Sequence, residues 1–199
     1  MKNKELALKT LGIFLLIFGI FAISYGIYRG KPSWIFWLCY IGMILIGIGC
    51  LKKDSMLIAS QLNIVVVYLL FWNIDFFYRI ITNTSLLGIT DYFFNELLVS
   101  ARIISLEHIF LLPLSFLALY LIKLERKDHW KISLIQLVII YFISKFLTLK
   151  EYNVNCVFHS CVNFIPSEPF FPIIWFSIAI PATFLTAFLI NKIHVFHKV

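Results

Sequence analysis

Charge is what this chain has least of. Only 14% of its 199 residues are Asp, Glu, Lys or Arg, against roughly a quarter in ordinary soluble domains, while 61% are hydrophobic. A water-soluble core has no use for so much apolar side chain. Any Ser/Gly/Pro-rich linker, low-complexity tract or internal repeat is also missing, which excludes a division into domains and leaves residues 1–199 as one helical bundle. The basic residues form no stripe interleaved with exposed aromatics, so nucleic acid is not an expected partner. No small-x-small cleavage site follows the basic N-terminus, so the first apolar run reads as a retained anchor and not as a signal peptide. No cofactor or metal is called for.

What is present is six long apolar stretches, at residues 11–27, 34–51, 56–77, 104–122, 132–149 and 170–190. Each is near the roughly 20 residues a helix needs to cross about 30 Å of hydrocarbon. The expected fold class is therefore all-α: a polytopic membrane protein of six transmembrane helices whose partners are membrane lipids. Lys and Arg set its orientation. Lys2, Lys4, Lys9, Lys52, Lys53, Lys123, Arg126, Lys127, Lys131, Lys192 and Lys198 fall on one side, and Arg29, Lys31, Arg79, Arg102, Lys145 and Lys150 on the other. The richer side is the cytoplasmic one, so both termini are expected inside, and the expected location is the plasma membrane of a prokaryote.

Gly12, Gly19 and Gly26 recur every seven residues along the first stretch and make a seam where a neighbouring backbone can approach. Pro113 and Pro181 interrupt the fourth and sixth stretches, and each frees the carbonyl four residues earlier, at Ile109 and Ser177. Between Tyr78 and Ile103 the chain is too polar for a seventh span yet carries Leu86, Leu87, Tyr92, Phe93, Phe94, Leu97 and Leu98. That mixture fits an amphipathic helix on the outer interface or a re-entrant segment.

Ionisable residues inside spans are costly and tend to face a bundle interior, which singles out Cys39, Asp75 and His108. Counted from the outer ends of their stretches, Cys39 lies about 8 Å deep and His108 about 6 Å. Asp75 sits just inside the outer end of the third stretch, so all three share one depth. A thiol nucleophile needs a base, and the base needs an orienting acceptor; Cys39, His108 and Asp75 can fill those roles. The plainer alternatives are an inert buried thiol, an interfacial histidine and an (i, i+4) pair of Asp75 with Arg79. A second cluster, Cys156-Val-Phe-His159-Ser-Cys161, lies in an outer loop. A structural Cys156–Cys161 disulfide is its simplest reading, with redox exchange second and zinc discounted because the ligands are crowded into too short a segment.

From about Trp34 onward the order of features resembles a superfamily of multi-spanning lipid enzymes. It comprises androgen-induced-gene type hydrolases, a related transmembrane acyltransferase and bacterial YwaF-type proteins of unassigned activity. The matching pieces are Trp37-Leu38-Cys39, Tyr68-Leu69-Leu70-Phe71-Trp72, Ser105-Leu106-Glu107-His108, Trp130-Lys131 and Asn153-Val154-Asn155-Cys156-Val157-Phe158. Ile35, Phe36 and Trp37 stand where YwaF-type proteins commonly carry Pro and His, and the aromatic-proline motif of the last span is reduced to Pro172 and Trp175. The resemblance implies an intramembrane nucleophile paired with a histidine on a later span and acting on acyl esters of lipids, with Cys39 and His108 in the corresponding places. The expectation is thus a lipid acyl-ester hydrolase or acyltransferase. The alternatives are a thiol–disulfide oxidoreductase using Cys156 and Cys161, and a non-catalytic transporter or assembly factor.

Overall fold

The structure is a computed structural model that describes residues 2–162, 165 and 170–197. Lys198, one of the basic residues counted above, lies outside the described residues. The chain forms helices α1 (Lys2–Tyr28), α2 (Leu38–Lys52), α3 (Ser55–Thr82), α4 (Asp91–Asn95), α5 (Val99–Ser105), α6 (Glu107–Ile122), α7 (Trp130–Leu147) and α8 (Phe171–Lys192). There is no strand among the described residues, only an isolated bridge between Leu124 and His197. Five helical runs are long and apolar enough to cross a membrane: α1, α3, the α5–α6 run Val99–Ile122, α7 and α8. Large apolar side chains such as Phe14, Ile17 and Phe21 on α1, Ile139 and Phe146 on α7, and Leu185 and Phe188 on α8 face outward. Lipid tails cover such a surface at no cost in solvation, whereas water would not.

Helix α3 is the hub. It packs against α2, α6, α7 and α8, and α1 lies outside, on α2 and α6. The helix starts where the Asp54 carboxylate accepts the Leu57 N–H at 3.0 Å, and it ends at Asn83 in the left-handed conformation (φ 56°). The glycine seam does what its spacing implies. Gly12 and Gly19 lie against α2, and Gly26 lies against Trp34. A Cβ on Gly47 would stand 2.8 Å from Leu16 Cγ and 2.9 Å from the Gly12 carbonyl oxygen. Backbone cannot move aside as a flexible side chain can, so Gly47→Ala is expected to cost about 1–3 kcal/mol. A lowered unfolding midpoint in detergent would register that cost, and an unchanged midpoint would mean that α1 and α2 can separate freely.

Four stretches depart from their sequence reading. The first is part of a helix that starts nine residues earlier, at Lys2. The second yields a helix of only 15 residues, about 22 Å long, because Trp34 and Phe36 belong to a separate 3-10 turn (Pro32–Phe36) and Trp37 is extended (φ −59°, ψ 127°). The third runs on to Thr82, five residues further into what reads as the outer connection. The helical run containing the fourth breaks at Leu106, between α5 and α6, while Pro113 and Pro181 sit inside helices that continue through them. The outer segment is a loop followed by α4 and α5, folded onto the end of α3. Phe93 and Phe94 pack on Phe76, and the Trp72 indole N–H donates to the Tyr92 hydroxyl at 3.0 Å. The segment after α8 packs back on the bundle. Phe196 is buried and stacks on Phe116, and its carbonyl accepts the Leu124 N–H at 2.6 Å.

Candidate functional site

Cys39 is the second residue of α2, and its position is set from a distant part of the chain. The Asn155 carboxamide accepts the Leu38 N–H at 2.9 Å and donates to the Phe36 carbonyl at 2.8 Å and to the Ser144 hydroxyl at 2.9 Å. This one side chain pins both sides of the Trp37 bend and so fixes where α2 begins. Asn155 is itself held by its surroundings. It is left-handed (φ 55°), as asparagine tolerates, and its carbonyl accepts the Trp175 indole N–H at 3.0 Å. The neighbouring Cys156 is disulfide-bonded to Cys161, Cα–Cα 5.7 Å. Asn153 completes the loop by accepting the Phe158 and His159 N–H groups and donating to the His159 carbonyl. The disulfide therefore staples the loop that positions the free thiol.

As the second residue of a helix, Cys39 has first-turn N–H groups around it. Asn155→Ala would leave the Leu38 N–H unpaired and release the bend. It is expected to slow alkylation of Cys39 about tenfold or more, as misplacement of a reacting atom does. Comparing alkylation of Cys39 and the buried Cys50 in the same sample measures this, and equal rates in wild type and variant would remove Asn155 from the site.

Helix α6 supplies the other two groups from its first turn. Among the described residues the hydrogen-bond partner of His108 Nδ1 is the Ser105 carbonyl at 2.8 Å, so Nδ1 carries the proton and Nε2 is left as a base or ligand. Trp72 stacks on the imidazole, with centroids 4.6 Å apart and planes 16° from parallel. Asn73 holds the His108 carbonyl at 2.8 Å, beside the carbonyl that Pro113 frees. Glu107 is fully buried, its Oε1 lies 3.7 Å from His108 Nδ1, and neither carboxylate oxygen has a hydrogen-bond partner among the described residues. The Cys39 sulfur, a Glu107 oxygen and a His108 ring nitrogen all fall within 4.8 Å of one another.

Cys39 and His108 are thus brought together, and Asp75 is not brought with them. Its Oδ1 accepts the Leu86 and Leu87 N–H groups at 3.0 and 2.7 Å, and its Oδ2 accepts the Thr90 N–H and hydroxyl at 2.8 and 2.7 Å. The carboxylate is spent on folding the outer loop and is not the orienting acceptor expected of it. Nor does it pair with Arg79, whose partner is Asp91. Glu107 was legible only as a letter of the Ser105–His108 motif. An acidic residue in the first turn of a helix ordinarily complements the dipole at the surface, and only the approach of α2 to α6 buries this one.

A second polar cluster lies at the opposite end of the bundle. Gln61 and Gln136 exchange amide hydrogen bonds at 2.8 and 2.9 Å. Asn63 donates to His129 Nδ1 at 2.7 Å and to Ser133 at 2.9 Å, and His129 Nε2–H donates to Asn191 at 3.1 Å. Burial lowers the His129 pKa, and the neutral tautomer suits both of its partners. This network ties α3 to α7 and α8, and its ring nitrogens are both in use.

Comparison of the chain with protein-family models, with curated proteins and with solved structures gives no match.

Proposed function

We propose that the chain is an integral membrane enzyme that hydrolyses or transfers acyl groups of lipids through Cys39, with His108 as its base and Glu107 as the counter-charge. The observation that carries this reading is the meeting of thiol, imidazole and buried carboxylate within 4.8 Å at the start of two helices. The Cys39 thiol gives its proton to His108 Nε2, and the sulfur attacks the acyl carbonyl carbon. Glu107, beside Nδ1, stabilises the resulting imidazolium. The first-turn N–H groups of α2 face the developing oxyanion. The ester C–O bond then breaks, the departing lipid alkoxide takes the proton from His108, and an acyl-thioester remains on Cys39. Water or the hydroxyl of a second lipid gives its proton to His108 and attacks that thioester; the C–S bond breaks, the fatty acid or new ester leaves, and the thiolate takes the proton back from His108.

The same proposal includes six membrane spans, with α2 and the Pro32–Phe36 turn together making the second, and both termini cytoplasmic. It also includes location in a prokaryotic plasma membrane, lipids as the partners, and kinship with the androgen-induced-gene and YwaF-type superfamily. Support comes from the charge asymmetry between loops and from the place of Cys39, His108 and Asn155 in motifs that carry the resemblance.

The test is to incubate the detergent-solubilised protein, in the presence of a chelator, with an acyl-labelled phospholipid and to map the label by mass spectrometry. The expected result is a hydroxylamine-sensitive acyl group on Cys39 that requires His108. Absence of any acyl adduct on Cys39 while labelled fatty acid is released would assign hydrolysis to another group. No adduct and no release would set the enzyme reading aside.

A further inference from the structure

We infer that Cys39, Glu107 and His108 also form a binding site for one zinc-like divalent cation, which competes with the acyl group for the Cys39 sulfur. The site itself stands without the acyl-transfer reading, because it is argued from the unpartnered carboxylate; the competition rests on that reading. Glu107 is fully buried with both oxygens lacking a hydrogen-bond partner among the described residues, beside a thiol and an imidazole whose second nitrogen is free. A buried carboxylate in that state must hold a proton or face a cation.

Geometry fits the cation. Three atoms within 4.8 Å of one another enclose a point no more than about 2.8 Å from each, and zinc binds S, N and O ligands at about 2.0–2.3 Å. Closing that gap needs side-chain shifts of roughly half an ångström to an ångström.

Charge fits as well. One dication with one thiolate, one carboxylate and a neutral imidazole makes a neutral site, the state that a membrane interior tolerates best. Ligand chemistry selects the class of ion. A thiolate with an imidazole suits zinc and its analogue cobalt, and argues against magnesium or calcium, which prefer oxygen throughout. With Nδ1 donating to the Ser105 carbonyl, Nε2 is the nitrogen that would bind the ion, the arrangement usual for a metal-ligating imidazole. Three protein ligands leave a fourth position open on the ion. Binding displaces the thiol proton and the carboxyl proton, so occupancy falls as the pH is lowered.

Cobalt(II) titration of the purified full-length protein in detergent tests the inference, because a cobalt–thiolate bond has its own near-ultraviolet charge-transfer absorption. The expected result is a band that saturates at one cobalt per chain and disappears on adding zinc. Cys50→Ser should keep the band, Cys39→Ser and His108→Ala should lose it, and Glu107→Gln should weaken binding while the helical circular dichroism is unchanged. No band in wild type, or a band that survives Cys39→Ser, would overturn the site. Acylation of Cys39 measured with a chelator present stays separate: a band without acylation keeps the metal and removes the enzyme, and acylation without a band does the reverse. Acylation that proceeds equally with zinc bound would overturn the competition for the sulfur.

Discussion

His108→Ala is expected to slow acyl transfer from phospholipid by about 100- to 10,000-fold, the usual contribution of a positioned general base. Cys39→Ala is expected to remove the thioester intermediate altogether. The two effects should not add. Once the nucleophile is gone the base has nothing to activate, so the double variant should be no slower than Cys39→Ala alone. Structural loss is a poor rival explanation for His108→Ala, because the imidazole makes one backbone hydrogen bond and one stacking contact, with Ser105 and Trp72. Its removal should lower stability by little more than those contacts are worth, about 1–3 kcal/mol. Single-turnover acylation of Cys39, followed by intact-protein mass, gives the chemical step directly. A His108→Ala enzyme that acylates at the wild-type rate would eliminate the pair.

Asp75→Ala should act on stability first. It leaves three backbone N–H groups and the Thr90 hydroxyl without their acceptor at a site that is fully buried. Unpaired buried donors cost about 1–3 kcal/mol each before relaxation and water entry, so a net loss of about 3–5 kcal/mol is expected. The loop from Asn83 to Thr90 and the short α4 behind it should then open to protease well before the rest of the bundle does. Limited proteolysis with thermal unfolding in detergent reads both effects. A variant that kept wild-type stability and protection, yet lost Cys39 acylation, would return Asp75 to the orienting role that its depth suggests.

The contrast between Asp75 and Glu107 explains how far the chain can be read as a string. Both are acids within apolar stretches, at 56–77 and 104–122, and the sequence alone singled out Asp75 and passed over Glu107. Which of them meets the imidazole is decided by side-chain direction, and that depends on how α3 and α6 are rotated against each other. Asn155 makes the same point from further away. It acts on Leu38, which precedes it by 117 residues, through a left-handed loop closed by the disulfide. No periodicity encodes a contact of that separation.

The glycine seam, by contrast, was legible because its physics is local. Residues seven apart fall on one face of a helix, and a face without Cβ atoms admits a neighbour's backbone. Helix ends were legible to within about two residues for the fifth and sixth stretches, but α1 starts nine residues before the first, α3 runs five past the third, Trp37 bends out of the second and Leu106 interrupts the fourth.

By itself, then, the sequence determined the all-helical class, the apolar runs and the glycine seam of α1, because hydropathy and helical period act within a few residues. Only the tertiary structure decided that α2 and α6 meet, that Glu107 is sealed between thiol and imidazole, that Asp75 folds a loop, and that Asn155 fixes the start of α2. Those outcomes depend on helix rotation and long-range hydrogen bonds, which the packing of the whole bundle settles and no single segment carries.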